Sequence, residues 1–269
     1  MRQTRTSCLK KDAKRMFKIQ TSEGGSFTFP QTLAEITLRQ YIDFLTFVES
    51  TKPTELLRVL SASEALHEAT KPAEKEKAQQ EYDEAIEAID DKVMYKKIYP
   101  YFARVVAFFA NGITEEQIIG GKKHGDGMNV GQLEHLYQMV VTILNCPEEP
   151  EYTNVILVDG EIWHLPQRYM EKSKLIEYAE ASQFEANLKD AENGNWKALP
   201  KIMCVLVRKE GEVYSEKLMK REEMFLDWTL ENCLKVAFFL QKQSEKYQRN
   251  FQIYMAAQDL MNVKQESKN

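Results

Sequence analysis

Apolar residues recur three and four positions apart over most of this chain, the spacing that places them on one face of an α-helix. Leu38, Tyr41, Ile42, Leu45 and Val48 follow it, and so do Val130, Leu133, Leu136, Tyr137, Val140, Val141 and Leu144. A chain patterned this way is constrained to be mainly α, because each stripe must be buried against a neighbouring element. One passage departs from the pattern. Asn154-Val-Ile-Leu-Val158 and Glu161-Ile-Trp-His-Leu165 are short, branched and aromatic, and they flank Asp159-Gly160. Both central positions of a type I′ turn need positive φ, which Asp-Gly accepts at little cost. The expected fold is mainly α with a small β-hairpin, built from helical modules with one helical hairpin arm.

Caps and breakers place the elements. Ser26-Phe-Thr-Phe29 alternates like a strand and Pro30 ends it. Thr37-Leu-Arg-Gln40 is a capping box that opens a helix toward Ser50, and Thr114-Glu-Glu-Gln117 opens a short one that stops at Gly120-Gly121. Pro53 precedes a helix from Thr54 to about Ala69, Thr70-Lys-Pro72 turns the chain, and strong helix formers from Ala73 to Asp91 return as the outer arm of a hairpin. Tyr99-Pro100 is expected to break or kink the next helix, which carries Phe102, Val105, Val106, Phe108 and Phe109. Further on, helices are expected over Lys174 to Lys189, from Pro200 to Arg208, as one long helix from Lys220 to Gln243, and over Tyr247 to Met261. The resulting division is a basic flexible arm at 1–20, an N-terminal helical module at 21–146 with a charged hairpin at 54–92, and a C-terminal module at 151–269. Cys146-Pro-Glu-Glu-Pro150 reads as the linker between the modules.

Charge and composition narrow the function classes. The apolar runs Val105 to Ala110 and Ile202 to Val207 are far shorter than the roughly 20 residues of a spanning helix, so no membrane contact is expected. The net charge is −5, yet the first 18 residues carry seven basic side chains against Asp12 alone. Such an arm lacks the apolar core of a secretory signal, which implies a cytoplasmic protein. It can meet nucleic acid or an acidic partner by counterion release, with nucleic acid the weaker expectation. Cys8, Cys146, Cys204 and Cys233 show no metal-binding spacing, and Cys204 and Cys233 read as small core residues.

Catalytic chemistry is thinly represented. Gly120, Gly121, Gly125, Gly127 and Gly131 lie near Lys122 and Lys123, but no Lys follows the last glycine as a phosphate loop requires, and Gly125 is followed by Asp126. His67, His124, His135 and His164 offer no i, i+4 pair for zinc, so no metal and no cofactor is expected. No G-x-S-x-G elbow occurs. The pairs Glu115-Glu116, Glu148-Glu149 and Glu222-Glu223 sit at cap or linker positions, where helix N-terminal charge explains them. The balance favours binding over catalysis.

Three passages carry a family resemblance: Phe29-Pro-Gln-Thr-Leu33 with Thr37-Leu-Arg-Gln-Tyr-Ile42, Tyr99-Pro-Tyr-Phe-Ala-Arg-Val-Val-Ala-Phe-Phe109, and Ile162-Trp-His-Leu-Pro166 with Trp196 to Leu240. Together they resemble the tail or baseplate assembly proteins of tailed bacteriophages, a chaperone-like family. In it a hairpin ending in Leu-Pro leads into helices, and a Trp-x-x-Leu-Pro helix precedes a Phe-rich one. The resemblance implies a non-enzymatic morphogenesis protein, either a tail assembly chaperone or a minor virion or connector component, located in the host cytoplasm or in the virion. Its partners would be tail or virion proteins, and oligomer formation stays open. Partner contact is expected on Trp196, Phe225, Trp228, Phe238 and Phe239. Two other readings stay open: an unrecognised enzyme with a site near the 120–131 glycine loop, where His124 and His135 are the candidates, and a DNA-associated protein using the basic arm.

Overall fold

The computed structural model describes residues 17–20, 26–121, 127–145, 153–166, 181, 183 and 195–243. The fold is mainly α with small antiparallel β-hairpins, and the chain divides into two compact units. One unit comprises Met1–Glu35 and Phe44–Asn145, the other Ile36–Asp43 and Cys146–Asn269.

In the first unit β1 (Phe17–Gln20) pairs with β2 (Ser26–Phe29), with Phe17 opposite Phe29. On the other edge of β2, Thr28 exchanges both backbone hydrogen bonds with Asn111, at 2.9 and 2.8 Å. Phe27 and Phe29 are buried at alternate positions, as the period of a strand requires. Charge patterning marks Phe17–Gln20 only as the end of a basic arm, since charge carries no information about strand pairing.

The core of this unit is aromatic. α1 (Leu38–Thr51) contributes Phe44 and Phe47 from its later turns. Phe44 lies 4.8 Å from Phe109 and 5.6 Å from Phe108 between ring centroids, and Phe47 stacks on Phe108 at 5.6 Å. These separations suit tilted and offset aromatic pairs. α2 (Thr54–Glu68) and α3 (Pro72–Glu87) then form the expected helical hairpin, packed chiefly on each other. Their buried positions are the alanines Ala62, Ala78 and Ala85.

Pro100 does not break its helix. α4 (Asp91–Val93), a π turn (Met94–Ile98) and α5 (Tyr99–Phe109) run on without interruption. Pro100 lacks the N–H that would bond to the carbonyl four residues back, and its ring would strike that carbonyl. The preceding turn is wider by one residue, with the Tyr99 N–H donating to Met94 O, so the helix passes Pro100. α6 (Glu115–Ile119) carries the complete capping box of Thr114 and Gln117. α7 (Val130–Leu144) is capped by the Asn129 side chain, which accepts from the Gln132 N–H at 2.9 Å.

The second unit is built around α8 (Leu199–Leu206), in which every residue except Lys201 is buried. A helix apolar on all sides belongs in an interior. It ends two residues short of the expected Arg208, because Arg208 leaves the helix to exchange backbone hydrogen bonds with His164, at 2.7 and 3.0 Å. The long helix expected from Lys220 to Gln243 is also corrected. A 3-10 segment (Glu216–Arg221) and α9 (Glu222–Leu226) come first, the chain leaves helical geometry at Asp227, and α10 occupies 230–243. Tertiary hydrogen bonds cause the interruption: the Leu38 N–H donates to Trp228 O at 2.9 Å and the Leu230 N–H to Ile36 O at 2.7 Å. The helices expected over Lys174 to Lys189 and Tyr247 to Met261 lie outside the described residues, apart from Ala181 and Gln183.

Candidate partner-binding surface

The hairpin expected around Asp159-Gly160 is present in the second unit. β3 (Val155–Val158) pairs with β4 (Glu161–His164), and Asp159 and Gly160 have φ of 50° and 84°, the positive values a type I′ turn demands. Ile156 pairs with Trp163 and Leu157 with Ile162. Alternation sends the first pair inward, where Ile156 and Trp163 are buried. It sends the second pair outward, leaving Leu157 62% and Ile162 54% exposed, with Val155 exposed beside them. Two large aliphatic side chains directly opposite each other thus meet solvent on one face of the hairpin.

That face is held in place from behind. Trp163 meets Trp228 at 5.4 Å and Phe225 at 6.1 Å, and Phe225 meets Trp228 at 4.9 Å, all edge-to-face. The Lys209 ammonium sits 5.0 Å from the Trp163 ring centroid and pairs with Glu161 at 2.9 Å. Arg221 lies 5.5 Å from the same ring and grips Glu212 through both terminal nitrogens. Cations above an indole face are attracted by its quadrupole. The Arg221 hydrogen bonds hold the Glu212 carboxyl below its usual range, and Glu212 in turn raises the Arg221 guanidinium. Along β3, Thr153 Oγ1 accepts from the Val155 N–H at 3.1 Å and donates to Val155 O at 2.9 Å, so this part of the strand edge is already satisfied.

The five aromatics expected at a partner contact separate by burial. Phe225, Trp228 and Phe239 are 0%, 5% and 1% exposed, so their apolar surface is used inside the unit. Trp196 is half-buried and meets Tyr41 edge-to-face at 5.2 Å. Phe238 is half-buried, with the Lys242 ammonium 5.0 Å from its ring centroid. Sequence reasoning used Trp163 and Ile162 to define the hairpin and missed the exposed Leu157–Ile162 pair. Its signal was the alternation itself: with Trp163 inward, Ile162 and its cross-strand partner must point out.

The residues weighed for chemistry are dispersed. His135 is exposed on α7, His67 is exposed in the last turn of α2, and His164 is half-buried at the end of β4. His124 and the lysines of the glycine loop lie outside the described residues, as do residues 1–16 of the basic arm. Gly127 has φ +70°, and a Cβ there would fall 2.6 Å from the Gly120 nitrogen, so close backbone approach accounts for glycine at this position. Burial pushes the Cys204 thiol up to about 11 and raises Cys233 as well, which disfavours the thiolate at both. Among the described residues no helix is long and apolar enough to cross a membrane, and no group of three or more His, Cys, Asp or Glu could hold a metal ion. Comparison of the chain with protein-family models, curated proteins and solved structures yields no match.

Proposed function

We propose that the chain is a non-enzymatic morphogenesis protein of a tailed bacteriophage, a tail assembly chaperone or a minor virion or connector component that binds tail or virion proteins through apolar surface. The observation that supports binding is the exposed Leu157–Ile162 pair on a hairpin anchored by Trp163. Apolar area left in water gains roughly 25 cal/mol per Å² when a partner covers it, and a surface already fixed in shape loses little conformational entropy on binding. The phage assignment rests on the resemblance of the three passages described above.

The test is genetic and structural. The gene is deleted from the phage genome that carries it, and the particles are counted, imaged and analysed by mass spectrometry after complementation in trans. The expected result is tail-less or non-infectious particles, rescued by the intact chain and not by a folded L157K/I162K variant. A deletion strain with full infectious yield overturns the proposal.

A further inference from the structure

We propose that the hairpin receives its partner as an extended, uncharged segment, added antiparallel along the free edge of β3 in place of the Thr153 hydroxyl. The inference rests on the binding role given above to the Leu157–Ile162 face, and it names the form of partner that fits there.

Hydrogen bonds at the open end of the hairpin fix the direction of its backbone groups. The Leu165 N–H donates across the two strands to Asn154 O at 2.8 Å, whereas the His164 N–H and C=O turn the other way, to Arg208. Successive residues of a strand alternate in this direction. Ile162 therefore points its N–H and C=O away from β3. Val155 and Leu157, the cross-strand partners of His164 and Ile162, point theirs away from β4. The two positions on this edge differ. Both backbone groups of Val155 are held by one hydroxyl, since Thr153 Oγ1 accepts from its N–H at 3.1 Å and donates to its O at 2.9 Å. The outward N–H and C=O of Leu157 have no partner among the described residues, where the sheet ends at β3. An antiparallel neighbour makes the same two bonds to Val155 that the hydroxyl makes, so Thr153 stands where the backbone of a third strand belongs. Rotation of its side chain opens four bonds to an incoming strand, two at Val155 and two at Leu157.

The chemistry of the edge selects the occupant. A helix has its backbone groups paired internally and cannot supply these bonds, whereas an extended segment can. Val155-Ile-Leu-Val158 carries no charge, so a charged segment finds no counterpart along it. Side chains opposite Val155 and Leu157 fall on the exposed face, where those two residues are 46% and 62% exposed. Apolar residues at alternate positions of the segment thus extend the row begun by Ile162 and Leu157.

The probe is the end-capped peptide Thr-Val-Thr-Val-Thr at millimolar concentration with the full chain, and amide hydrogen exchange is read residue by residue by NMR. In the free chain the Leu157 amide is expected to exchange quickly and the inward Ile156 and Val158 amides slowly. The peptide should slow Leu157 severalfold and leave Ile162, on the opposite edge, unchanged. A peptide methylated on its valine amides should protect nothing. Thr153→Val removes the competing hydroxyl and should raise the peptide's affinity severalfold, with slow exchange at Ile156 and Val158 showing that the hairpin is kept. An unprotected Leu157, equal protection by the methylated peptide, or unchanged affinity in Thr153→Val overturns the proposal. Protection of Leu157 that grows with protein concentration, without peptide, assigns the edge to a second copy and overturns it as well. L157K/I162K that fails to restore infectivity while the peptide leaves Leu157 unprotected retains the binding role and overturns strand addition.

Discussion

Thr37 and Thr229 face each other across an antiparallel bridge, closed by the Leu38 N–H on Trp228 O and the Leu230 N–H on Ile36 O. Each threonine also caps the helix that follows it. Thr37 Oγ1 accepts from the Gln40 N–H at 3.2 Å, and Thr229 Oγ1 accepts from the Asn232 N–H at 3.4 Å. Two helix N-termini thus begin from one bridged pair whose flanking residues supply the hydrogen bonds. A cap of this kind is worth about 1 kcal/mol, so Thr229→Ala should lower unfolding free energy by about that much in urea titration. Because Thr37 and Thr229 are neighbours, the double variant should depart from additivity by about 0.5 kcal/mol or more.

Arg221 and Glu212 give the second unit a pH dependence of defined sign. The lowered carboxyl of Glu212 stabilises the fold above its unfolded pKa of about 4.3, and this contribution is lost as pH falls through the folded value. Glu212→Gln should therefore cost about 1–2 kcal/mol at pH 7. The difference from the wild type should vanish below the folded pKa. Urea titrations at several pH values between 7 and 3 measure it, and a gap that stays constant across the range contradicts this role.

Core and surface aromatics and aliphatics of the second unit should behave oppositely. Phe225 is wholly buried between Trp163 and Trp228, and Phe225→Ala should cost about 3–5 kcal/mol. Leu157→Thr and Ile162→Thr on the outer face of the hairpin should each change stability by no more than about 0.5 kcal/mol. Thermal and urea denaturation of the three variants separates the two classes.

Gly127 offers a test of the glycine loop as architecture. Its positive φ costs an L-residue about 1–2 kcal/mol, and the added Cβ meets backbone atoms of Ile119 and Gly120 inside 3 Å. Gly127→Ala should destabilise the first unit by at least about 2 kcal/mol. Gly121→Ala, where a Cβ meets nothing within 4 Å, should cost less despite its φ of +139°. Unfolding free energies of the two variants give the comparison.

Most local elements were legible in the sequence because their causes are local. The capping box at Thr114 and Gln117, the apolar stripe of α7 and the Asp159-Gly160 turn each depend on residues within a few positions of one another. Aromatic side chains read differently: Phe225, Trp228 and Phe239 are as suited to an interface as to a core, and composition does not choose between them. Trp163 and Trp228 settle the matter for Phe225 by surrounding it.

The sequence by itself determined that this chain is helical, where most helices begin, and where one hairpin turns. Tertiary structure alone decided that α8 ends at Leu206 and that α10 begins after Thr229. The reason is the reach of the interactions. A cap or turn is closed by neighbours in sequence, whereas helix ends at Arg208 and Trp228 are set by backbone hydrogen bonds to His164 and Leu38, residues far away along the chain.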